Sequence, residues 1–150
     1  MIRPHDSVIV HTLARVFTPI IQLFALYVLV HGHHSPGGGF QAGTLFAASV
    51  ILPIIVFGIQ GSLIVLERRA IILGGIGILL YAGIGLLPLI LGEEFLNYGE
   101  LPIPGMEASA RRHWGILGIE IGVAIAVAAT AVSIFYSLSG RGEGEGKYYG

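Results

Sequence analysis

Apolar residues in this chain come in long unbroken runs, without the regular polar punctuation of a soluble helix or strand. From Val16 to Leu66 there is no Asp, Glu, Lys or Arg at all. Crossing a bilayer takes about 20 mostly apolar residues, and four runs meet that length: 7–31, 40–66, 70–91 and 115–138. The pattern predicts an all-α integral membrane protein, a bundle of four transmembrane helices forming one domain over 1–138. Between the runs lie a short Glu67-Arg68-Arg69 turn, a longer loop over 92–113 and a Gly-rich break before the second helix. A tail over 139–150 alternates Gly with charged residues, a low-complexity composition expected to be disordered.

Composition agrees with a membrane setting. The chain is 54% hydrophobic and only 11% charged, whereas a soluble domain carries about 25% charged residues. Zero cysteines exclude disulfides, thiolate metal sites and thiol catalysis. A net charge of −1 offers no basic patch for nucleic acid. The first run contains Arg15 and ends in Val30-His31-Gly32-His33 rather than at a small-residue cleavage site, so it reads as a retained anchor. Arg3, Arg68, Arg69, Arg141 and Lys147 fall on one side of the four-span topology, and Arg111 and Arg112 on the other. The positive-inside rule then puts both termini in the cytoplasm of a multi-pass cell membrane protein, with Trp114 at an interface.

Small residues recur where helices could approach closely. Gly39, Gly43 and Ala47 are spaced by four in the second run, and Gly115, Gly118, Gly122, Ala126, Ala129 and Ser133 form a longer stripe in the fourth. Such stripes let helix backbones touch in lipid, where no hydrophobic effect drives association. They predict close internal packing and contacts to other subunits.

Few residues can carry chemistry. His11, Arg15, Thr18 and Gln22 share one face of the first helix. That face is either a hydrated lining for a proton or ion path, or a site where Arg15 snorkels to the surface. Glu120 is the single acidic residue within the runs; an intramembrane carboxyl is a functional candidate by default, and a structural hydrogen bond is the alternative. It projects about 200° away from Gly118 at ~100° per residue, off the small-residue stripe. His31, His33 and His34 lack metal-ligand spacing and a nearby carboxylate, which leaves proton relay or plain hydrogen bonding. Pro36, Gly37, Gly38 and Gly39 lack the Lys-Ser/Thr of a phosphate loop; they offer bare backbone at a helix start, with proline suited to its first turn. No nucleophile–base pair, redox ligand set or nucleotide motif appears, so the chain is expected to carry no catalytic site, bound metal or cofactor of its own.

The string His31-Gly32-His33-His34-Ser35-Pro36-Gly37-Gly38-Gly39-Phe40-Gln41-Ala42-Gly43 resembles the hallmark of the MnhB (MrpB) family, one of the membrane components of Mrp-type multisubunit cation/proton antiporters. It departs from that hallmark by Ala42 at a glycine. Gly118-Ile119-Glu120-Ile121-Gly122-Val123 is similar to a second family pattern that usually has Asp where Glu120 stands. The resemblance implies an accessory subunit of a hetero-oligomer that exchanges Na⁺ for H⁺. Its partners would be the other antiporter subunits, or hydrogenase-like subunits where an antiporter-like module serves an archaeal membrane-bound hydrogenase or sulfur-reducing complex. A purely structural membrane subunit is the further alternative. Phe40, Gln41 and Gly43 belong to the implied structural motif.

Overall fold

A computed structural model describes residues 8–32, 37–58 and 67–145, with side chains at 8–32, 37–58 and 68–139. Four helices make up the described chain: α1 over Val8–Val30, α2 over Gly38–Phe57, α3 over Glu67–Ile90 and α4 over Ala108–Glu145. Each contains a segment long and apolar enough to span a bilayer. No strand occurs among the described residues. Lipid offers no hydrogen bonds, so a spanning backbone must satisfy its own. This explains why α3 stays helical despite Gly74, Gly75, Gly77, Gly83 and Gly85, each of which would cost about 1 kcal/mol relative to alanine in water.

The helix ends differ from those the apolar runs suggest, for local reasons. α2 stops at Phe57, because Gly58 takes up φ 79° and its N–H closes on the Ile54 carbonyl at 2.9 Å, a left-handed stop that glycine makes cheaply. The apolar residues 59–66 lie outside the described part. α4 starts at Ala108, earlier than the fourth run, and its first turn is tied by the Arg111 N–H to the Glu107 carbonyl at 3.0 Å. It also continues past Leu138 to Glu145, so helical backbone extends into the polar tail whose composition suggests disorder. Extending an existing helix is far easier than nucleating one.

The bundle is open, and its centre is the last helix in sequence. Among the described residues, α2 and α3 each pack along α4 with no close backbone approach to one another, while α1 lies mainly against α2. The small-residue stripe of α4 is taken up internally by α3. A β-carbon on Gly77 would sit 2.6 Å from the Ala126 nitrogen, and one on Gly122 would sit 2.8 Å from the Tyr81 nitrogen. On its other face α4 grips α2, with Gly43 placed so that a β-carbon would stand 2.7 Å from the Ala124 carbonyl oxygen.

Two dry clusters line α4 where it meets α2. One gathers Val28, Leu29, Ala42 and Ala124, flanked by Leu45 and Ile121; the other gathers Ala47, Ile54, Ala70, Val132 and Tyr136. The connection between α3 and α4 folds back over the helix ends, and its Tyr98–Glu100 turn lays the Tyr98 side chain on Gly115, where a β-carbon would meet it at 2.7 Å. Burial pushes the Tyr98 phenol above its ordinary range, with Tyr81 adding to the effect. Leu96 in this connection holds φ 67°, a left-handed conformation that is strained for a non-glycine residue.

Candidate functional site

Glu120 lies on the face of α4 turned to the α1–α2 junction, opposite the glycines that meet α3. Three glycines surround it. A β-carbon on Gly32, just past the end of α1, would fall 2.6 and 2.7 Å from the two carboxylate oxygens. One on Gly38 would stand 3.1 Å from Oε1. One on Gly39 would press on the Glu120 backbone itself, 2.9 Å from its Cα. Gly32 past the end of α1 and Gly38 and Gly39 of α2 therefore come close to Glu120 of α4.

Local sequence builds the notch. Gly38 opens α2 at φ 49°, in the left-handed region that glycine tolerates. The Gln41 side chain folds back over Gly37, whose hydrogen occupies the space that a β-carbon would need. Gly39, Ala42 and Gly43 face inward, while Phe40 and Gln41 are exposed. The motif thus divides into an inner glycine face against α4 and an outer Phe-Gln face.

Glu120 Oε2 is buried and has no hydrogen-bond partner among the described residues. His113 lies seven residues earlier on the same face of α4. A carboxylate oxygen out of water and unpartnered is destabilising unless a proton, a cation or a donor meets it.

The other candidates divide between the two ends of the molecule. His31 is exposed; its ring stacks on Tyr27 at 4.2 Å and its Nδ1–H donates to the Tyr27 carbonyl at 3.0 Å. His33, His34 and Pro36 lie outside the described residues. At the far end of α1, the His11 ring lies tilted by 50° against Phe57 with ring centroids 5.1 Å apart, and the Arg15 guanidinium lies 5.4 Å above the same ring. His11 Nε2 is buried without a hydrogen-bond partner among the described residues. Thr18 turns its hydroxyl onto the Ala14 carbonyl at 2.7 Å, and Gln22 is half-buried. The polar face of α1 therefore looks toward α2, although Arg15 keeps substantial exposure.

Sequence reasoning singled out Glu120 and the glycines separately and missed that they are one site. The signal for it was geometric: glycines at 32, 38 and 39 imply a close neighbour, and Glu120 points away from the α3 contact.

Comparison with known proteins matches residues 9–133 to the family described as "Domain related to MnhB subunit of Na+/H+ antiporter". Over 104 residues the chain is 31% identical to the B-type subunit of the Na(+)/H(+) antiporter of Bacillus subtilis, a match covering 67% of this chain and 73% of that protein. Over 128 residues it is 31% identical to the corresponding Na(+)/H(+) antiporter subunit of Alkalihalophilus pseudofirmus, covering 79% of this chain and 88% of that relative.

Proposed function

The chain belongs to the family of MnhB-related domains, and on that premise we propose that it serves as a membrane subunit of a multisubunit Na⁺/H⁺ antiporter in which Glu120 exchanges a proton or attracts a cation. The observation that carries this reading is the buried Oε2 of Glu120, without a hydrogen-bond partner among the described residues, in a notch walled by Gly32, Gly38 and Gly39. On its glycine-walled sides the carboxyl faces main chain, which leaves a small ion room there that a side chain would fill. In lipid such a group is expensive to keep, which favours a role in ion movement over simple packing.

The subunit contributes to the path of Na⁺ and H⁺ and depends on the other antiporter subunits, with no catalytic chemistry of its own. The distribution of arginines puts the α1–α2 junction, and Glu120 with it, toward the outer face. The test is Na⁺-driven pH change in vesicles that hold the whole complex. Glu120→Gln keeps shape and some hydrogen bonding but removes the titratable charge; the complex should assemble while transport falls or shifts in pH dependence. Glu120→Asp should keep much of the activity. An unchanged rate and pH profile in Glu120→Gln would make the carboxyl structural.

A further inference from the structure

The buried Ser49 of α2 turns its hydroxyl onto the Phe46 carbonyl at 2.7 Å, and among the described residues the polar side chains of α1 gather toward its two ends. One end holds the Glu120 notch beside Gly32. The other holds a column on α1 composed of His11, Thr18 and the half-buried Gln22, with Arg15 and His11 gathered over Phe57. At 1.5 Å per residue, Gln22 and Gly32 are separated by ~15 Å of helix. That gap is filled by Ala25 and Ala42, both 0% exposed, by Val28 at 8% and Leu29 at 9%, and by Ala124 at 4% from α4. Beyond it the α2–α4 side continues dry, through Gly43 against Ala124 and on to the Ala47–Val132–Tyr136 cluster.

We propose that Ala25, Val28, Leu29 and Ala42 form a seal that separates the Glu120 notch from the polar column of α1, so that this chain holds two half-paths and no through-path. Each half-path is wet from its own end. Water and protons pass between them only when the layer is parted or when a partner subunit supplies a detour. The inference rests on the reading of Glu120 as an ion or proton group. It adds that coupling is protected by a packed apolar layer of just over one helical turn, from Ala25 to Leu29, whose side chains give a chain of waters no hydrogen-bond partners.

The experiment uses the assembled complex, to which this chain contributes no native cysteine. Single cysteines at Thr18 and Gln22 should react with a membrane-impermeant maleimide added from the Arg68–Arg69 side. Cysteines at Ala25 and Leu29 should resist it from both sides. In vesicles, Leu29→Ser and the milder Ala42→Ser should raise Na⁺-independent proton leak several-fold, and adding Glu120→Gln should suppress that leak. Labelling at Ala25 and Leu29 as fast as at Gln22 would overturn the seal, as would assembled serine variants that do not leak. If Glu120→Gln leaves both transport and leak unchanged while the labelling boundary holds, the role of the carboxyl fails and the seal stands. The two ideas are thereby separable.

Discussion

Gly32 and Glu120 face each other so closely that a β-carbon on the glycine would stand 2.6 and 2.7 Å from the two carboxylate oxygens. The same β-carbon would also lie 2.6 Å from the Gly38 Cα. Gly32→Ala should therefore displace the carboxyl and widen the α1–α2 junction together. The expected outcome is an assembled complex with reduced antiport and an altered pH profile, measured in vesicles against the parent complex. Normal activity would mean that the carboxyl's position is not critical.

Gly39 makes the more demanding contact, since its neighbour is the Glu120 main chain, which cannot rotate away. Overpacking of this kind costs about 1–3 kcal/mol. Gly39→Val should lower the amount of assembled complex in membranes, whereas Gly75→Val should be tolerated, because nothing lies within 4 Å of a β-carbon there. Equal levels of the two variants would contradict the α2–α4 packing.

At the opposite end, Phe57 is shared by His11 and Arg15. Removing the ring forfeits a cation–π contact of about 0.5–1 kcal/mol together with packing. Phe57→Leu should speed amide hydrogen exchange in the first two turns of α1, and Phe57→Trp should not. Unchanged exchange in Phe57→Leu would show that the ring does not hold α1.

Orientation gives a prediction independent of packing. With both termini cytoplasmic, a cysteine at Ser109 should label with an impermeant reagent added outside cells, and one at Ser139 should be protected. Labelling at Ser139 with protection at Ser109 would invert the topology.

The four helices were legible because uninterrupted apolar runs are a strong signal, and Glu120's direction followed from the ~100° step around α4. The end of α2 was not. Residues 59–66 stay free of charge and mostly apolar despite Gln60 and Ser62, so the apolar run continues where Gly58 turns the chain, and a glycine's liking for positive φ marks the stop more sharply than hydropathy does. The match between the glycine motif and Glu120 was also hidden. It joins segments distant in sequence, and close approach of two backbones leaves no pattern in either one beyond the smallness of the residues. The open order of helices escaped notice for a related reason: stripes on α4 reveal that neighbours approach, not which ones.

That order bears on how the protein is made. Among the described residues the α3 backbone approaches neither α1 nor α2, and α4 is the helix that joins it to them. Chain order therefore leaves α1 and α2 as a pair and α3 apart from them, with no close backbone contact between the two among the described residues, until α4 is added. Insertion of α4 is the event that converts these pieces into one body, and it sets Glu120 against Gly32, Gly38 and Gly39 in the same stroke. The carboxyl comes with α4, and its notch has no third wall until that helix is in place.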